Sequence, residues 1–181
     1  MARRNCGVRV ATPPSDAVRE LLMPMRVMAE TYALRHCLAS LTDDDFREWE
    51  RLLARLEASC FDANYAAVIE CDFDFHRHLM IRGGLGDLLA LWTTLITKTV
   101  TFYEHEKLNP QMLPAVHLMH VELLALFRAG DEPAAVRALT EHILNGTFNE
   151  QVRQRWAAKT RKRMRHASST PFPSLPSPRS L

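Results

Sequence analysis

From Ser15 to His166 the apolar residues of this chain recur every three or four positions and nowhere alternate. A period near 3.6 lets a helix bury one stripe, whereas a strand needs a period of two, so a sheet is excluded for this stretch. Pro and Gly fall between the periodic segments more often than within them. The pattern therefore predicts an all-α fold, an antiparallel bundle of about six helices spanning residues 15–166.

Local signals delimit the helices. Ser15 or Asp16 can cap the first, whose stripe is Val18, Leu21, Leu22, Met25, Met28 and Ala29. Pro24 lacks the N–H that bonds back one turn, so a kink or a split is expected there. Thr42 with Asp45 forms a capping-box pattern ahead of Phe46, Trp49, Leu52, Leu53 and Leu56. Asn64 opens a third helix that stops at Gly83-Gly84, and Gly86-Asp87 opens a fourth ending near Lys107. Leu85 cannot cap as a polar residue does, so Asp87 is expected to take that role and shift the start. A fifth helix runs from about Leu113 to Arg128; Gly130 breaks it and Asp131 caps the sixth. Val136, Leu139, Ile143, Phe148, Val152 and Trp156 keep helical spacing, which predicts a long last helix.

The chain has 181 residues, 47% of them apolar, enough for one core without disulfides or a structural metal. Its cysteines, Cys6, Cys37, Cys60 and Cys71, show no CxxC spacing and no signal-peptide run precedes them, which fits a reducing cytoplasm. No apolar run approaches the roughly 18 residues of a membrane span, so no membrane partner is expected. The last acidic residue is Glu150, and the basic residues Arg153 to Arg165 follow it, behind a body with an acidic excess. That body argues against a broad nucleic-acid surface, and the basic end is read first as a solvated helix end. Residues 167–181 are rich in Pro and Ser and are expected to be disordered.

Chemistry concentrates in the third helix. CDFDFHRHLM offers two acid-to-histidine pairs one turn apart, Asp72 with His76 and Asp74 with His78. Val68, Ile69, Phe75, Leu79 and Met80 form a stripe that takes in 72 and 76, while 74 and 78 share a face with Glu70 and Arg77. A carboxylate in an apolar stripe needs compensation, and a hydrogen bond to its own histidine neighbour would suffice. His120 on the fifth helix and His142 on the sixth also lie beside apolar residues. Three imidazoles and one carboxylate from three helices suit a divalent cation, zinc or nickel before manganese. Ordinary core histidines remain the competing reading, with His117 an alternative to His120.

The motifs Asp72-x-x-Phe75-His76, His120 through Gly130-Asp131, and His142 resemble the ligand-binding C-terminal (FCD) domain of FadR-type regulators in the GntR family. Arg26 and Glu30 are similar to the Arg-x-x-x-Glu of that domain's first helix, and the likeness covers residues 16 to about 155. It implies a helical bundle that senses organic or sugar acids, one divalent metal per chain on Asp72, His76, His120 and His142, and a homodimer. Residues 1–14, with Cys6 to Thr12, resemble the last strand and linker of a winged helix-turn-helix. The rest of that domain being absent, this chain alone is expected not to bind DNA specifically, beyond weak polyanion association through residues 153–165.

A metal with an open position would accept the carboxylate of a small effector. Trp92, Thr93, Ile96, Thr97 and Thr101 are candidate walls for it, and Arg26 and Arg82 candidate anion partners, with packing or surface roles as the alternatives. The same ligands could serve a metal-dependent hydrolase, whose proton shuttle would have to be Glu122 or Glu141. No P-loop, Rossmann glycine pattern or HExxH supplies another chemistry. A metal-free interaction domain is the third reading; the protein is expected not to be an enzyme.

Overall fold

A computed structural model of the protein describes residues 15–105 and 113–145. Within them lie α1 (Asp16–Cys37), a 3₁₀ turn (Leu38–Ser40), α2 (Asp43–Phe61), α3 (Tyr65–Arg82), α4 (Gly86–His105), α5 (Leu113–Ala129) and α6 (Glu132–Asn145). No strand occurs among the described residues. The connections from α1 to α4 and from α5 to α6 are a few residues long, so successive helices turn back on one another. α3 lies between α2 on one side and α1 and α4 on the other, α5 packs on α2 and α6, and α6 returns along α1.

Local chemistry explains the boundaries. Thr42 and Asp45 make the reciprocal capping box, and Asn64 accepts from the Ala67 N–H. Asp131 accepts from Ala134 at 3.0 Å to start α6. α4 begins at Gly86 with the Leu85 carbonyl accepting from Leu89. Asp87 sits in its first turn rather than capping it, so the start does not shift: the dipole favours an acid in that turn as well as at the cap.

Pro24 neither splits nor ends α1, so of the kink or split expected there the split does not occur. The bond it forfeits would go to the carbonyl of Glu20; both residues are exposed, so water can take the acceptor's place.

The core centres on Trp49, whose ring lies 6.0 Å from that of Phe75 and 5.7 Å from that of Phe127. Its indole N–H donates to the Phe75 carbonyl at 3.1 Å, tying α2 to α3. Gly83 lets α1 approach α3: a Cβ there would stand 2.8 Å from the Ala33 Cβ. Gly84 turns the chain out of α3 at φ +70°, where other residues are strained. The expected strand within residues 1–14, the extension of α6 beyond Asn145, the α4 end near Lys107 and the Pro/Ser tail lie outside the described residues.

Candidate metal centre

Asp72 and His76 occupy one face of α3 a turn apart, His120 projects from α5 and His142 from α6. Packing brings one ligand atom from each to within 4.8 Å of all the others. His76 and His120 are fully buried and His142 nearly so, while the Asp72 side chain keeps 20% of its exposure.

Each imidazole's far nitrogen indicates what its near one can do. His120 Nδ1 lies 2.8 Å from the Val116 carbonyl, which only accepts, so Nδ1 carries a hydrogen and Nε2 is the nitrogen whose lone pair a metal could use. His76 Nδ1 lies 2.7 Å from Glu30 Oε2, and His76 Nε2 lies 3.1 Å from His142 Nε2. His120 Nε2 stands 3.1 Å from Asp72 Oδ1 yet makes no aligned hydrogen bond, so the two atoms lie side by side. Metal–ligand bonds of about 2.0–2.2 Å at angles between 90° and 109° put neighbouring ligand atoms roughly 3.0–3.5 Å apart. Both 3.1 Å separations fall in that range. Three imidazoles and one carboxylate are donors of the type that suits a divalent ion, and these two pairs already stand at ligand-type separation.

The charge states fit too. Burial works against ionising Asp72, but His120, His76 and Arg26 outweigh it and hold its carboxyl well below the usual range. Burial, reinforced by His120 and His76, pushes His142 well below the ordinary histidine value, so it is a neutral ring at pH 7. One carboxylate with neutral imidazole is the protonation state a metal requires.

Behind His76 stands a layer whose role the sequence did not reveal. Glu30 is fully buried. Its Oε1 accepts from Arg26 Nε at 2.6 Å and from Trp92 Nε1 at 2.8 Å, leaving Oε2 toward His76. Burial alone would raise this carboxyl; Arg26 and His76 bring it down to about 2. The Arg26/Glu30 pair, charged and four residues apart within an apolar stripe, was the available signal.

Several expected residues stand elsewhere. Arg82 is bound to Asp45 at 2.8 Å, and ten residues of α3, about 15 Å of rise, separate it from Asp72. Thr93 and Thr97 are exposed, their hydroxyls bonded to the carbonyls of Leu89 and Thr93. They lie 100° or more around α4 from Trp92, which faces the core, so they cannot wall a buried site. Arg26 and Trp92 are buried as expected of a site, but both brace Glu30. Thr101 lies where side chains are outside the description. His117 is half-buried and is not among the four converging groups. Asp74 and His78, on the face shared with Glu70 and Arg77, meet α2: Asp74 stands 3.1 Å from Arg55 and His78 edge-on to Trp49 at 4.6 Å. Cys37, Cys60 and Cys71 are free and buried, and burial lifts the first two thiols to about 11.

A helical bundle with a buried Asp/His₃ cluster is the class that the fold and the geometry define. The family model for the FCD domain matches residues 21–145, and the chain belongs to that family. No curated protein matches it significantly in sequence. Among solved structures it is similar to E. coli McbR/YncC, with a TM-score of 0.59 and 19% identity over 82% of this chain. That likeness is one of fold, and the chain spans 65% of the other's length. No described helix is long and apolar enough to cross a membrane.

Proposed function

We propose that this chain is the metal-dependent effector-sensing domain of a GntR-family transcriptional regulator, and that its effector is a small organic or sugar acid. The observation that carries this is the convergence of Asp72 with the buried His76, His120 and His142, with two 3.1 Å ligand-type separations. Zinc or nickel suits the mixed nitrogen-oxygen shell, with manganese next. The chemistry such an ion supplies when bound is an open coordination position for a carboxylate oxygen. Asp72 retains part of its exposure, which marks the side from which an acid would arrive.

Elemental analysis of protein purified without a histidine tag tests the metal: one divalent equivalent per chain is expected. Calorimetric titration with citrate, dicarboxylates, lactate and sugar acids tests the effector. Metal content near zero after exposure to zinc, nickel and manganese would favour the metal-free interaction domain. The hydrolase reading draws no support, because Glu122 and Glu141, its candidate proton shuttles, are both exposed on their helices.

The partner we propose is a second copy of the chain. Val18, Leu21, Met28 and Tyr32 leave an exposed apolar line on α1, at spacings of three, seven and four residues that keep one helix face, with Leu91 exposed on neighbouring α4. Sedimentation should give a dimer, and Met28→Glu should shift it toward monomer. We further propose that the protein is cytoplasmic and that this chain alone does not select DNA sequences; a band-shift titration with related and scrambled duplexes checks the latter.

A further inference from the structure

We propose that Glu30 is a positioning residue that fixes His76 in the Nδ1–H tautomer, so that the Nε2 lone pair faces the His120/His142 cluster. The inference rests on donor and acceptor arithmetic. An arginine Nε–H and an indole N–H can only donate, and both reach the same oxygen, Glu30 Oε1. That oxygen is saturated and the carboxylate is held in one rotation, which aims Oε2 at α3. The buried ion pair with Arg26 at 2.6 Å makes this side chain a carboxylate, so Oε2 carries no hydrogen and can only accept. The atom 2.7 Å away, His76 Nδ1, must therefore bring the hydrogen, although the two atoms are not aligned as a hydrogen bond. In a neutral ring that leaves Nε2 as a lone pair, 3.1 Å from His142 Nε2.

The arrangement has a consequence peculiar to a carboxylate. Glutamine has the same shape but one acceptor end and one donor end. Arg26 and Trp92 would claim the acceptor, turning the amide NH₂ toward His76 Nδ1. That nitrogen would have to become the acceptor, and the hydrogen would move to Nε2, where it blocks the lone pair. A buried contact 46 residues apart in sequence thus makes α1 set the chemistry of a side chain on α3.

The test needs no metal. Nitrogen-15 ring spectra of metal-free wild type near neutral pH should show His76 as the Nδ1–H tautomer, and Glu30→Gln should move it to Nε2–H. Trp92→Phe removes one donor from the same carboxylate but leaves Oε2 in place, so it should perturb packing while keeping the wild-type tautomer. An Nε2–H ring in wild type overturns the proposal even if Glu30→Gln fails to fold. Equal tautomer changes in Glu30→Gln and Trp92→Phe also overturn it, since the effect would then be general packing. Metal affinity, on which the functional reading rests, is a separate readout: Glu30→Gln should weaken zinc about 10–100-fold. If wild type binds no metal but shows the expected tautomers, the sensing reading falls and the assignment to Glu30 stands.

Discussion

Helix α3 carries the same pair twice, Asp72 with His76 and Asp74 with His78, two residues apart and so on different sides of the helix. The first pair meets Glu30 of α1, His120 of α5 and His142 of α6. The second meets α2, where Arg55 takes Asp74 and the Trp49 ring takes His78. Burial lowers His78 below its ordinary value, as it does His142, and the buried His78 Nε2 has no hydrogen-bond partner. A depressed, buried imidazole one turn from an aspartate is therefore not what makes a centre. What separates the two sides is that other helices deliver further imidazoles to one of them.

The largest contrast to test is metal content. His76→Ala and His142→Ala should each abolish stoichiometric zinc on folded protein, while His78→Ala should keep the full equivalent. Loss of metal in His78→Ala, with the fold intact by circular dichroism, would erase the distinction between the two pairs.

The next largest effect should come from the joint that holds α1 against α3. Gly83→Val places a side chain where even a Cβ stands 2.8 Å from Ala33, and Ala33 is backbone-anchored on α1. A cost of about 1–3 kcal/mol in denaturant unfolding is expected from overpacking. The displacement should weaken zinc binding, because Glu30 and His76 face each other across that joint, and should spare the edge-on contact of His78 with Trp49. Unchanged stability would show that α1 can withdraw without strain.

Acid should act on both sides, but unequally. The folded state holds His142 well below the ordinary value of 6.5 and His78 below it to a lesser degree. As pH falls through about 6.5 the unfolded chain takes up protons that the folded chain refuses, so metal-free stability declines, by up to about 1.4 kcal/mol per pH unit for each proton. Glu30 and Asp72 act in the same direction lower down: their stabilisation is present above the unfolded carboxyl range and is lost as pH drops through their depressed folded values. His142→Gln should flatten the stability profile between pH 6.5 and 5 more than His78→Gln does. Equal flattening by the two would place their rings in equivalent surroundings.

These contrasts mark what the sequence could and could not convey. The caps at Thr42, Asn64 and Asp131 and the turns at Gly84 and Gly130 were legible because each depends on neighbours within four residues. Asp72, His76, His120 and His142 could be nominated because each falls in an apolar stripe of its own helix. Glu30 opposite His76 could not be read, since that contact depends on how α1 and α3 are rotated against each other. The same missing information misplaced Arg82, Thr93 and Thr97, whose residue types suited an anion but whose helical phase turned them to Asp45 or to solvent.

The smallest expected effect belongs to Asp74. Its carboxylate meets Arg55 at 3.1 Å, with 43% of the arginine side chain and 29% of the aspartate still exposed. Water screens a pair so placed, and ordering two side chains offsets part of the attraction, so Asp74→Asn should cost no more than about 0.2–1 kcal/mol. Raising salt should shrink the difference further, since partly exposed charges are screened over roughly 10 Å at 0.1 M. Asp72→Asn provides the opposing case. The amide keeps the shape, but the carboxylate charge that three neutral imidazoles would share with a divalent ion is gone, so zinc affinity should fall far more than stability does. If Asp74→Asn instead weakened zinc as strongly as Asp72→Asn, with equal stoichiometry in the parent, the charge around the site would matter more than the convergence of ligand atoms. The two pairs on α3 would then have to be read as one electrostatic unit.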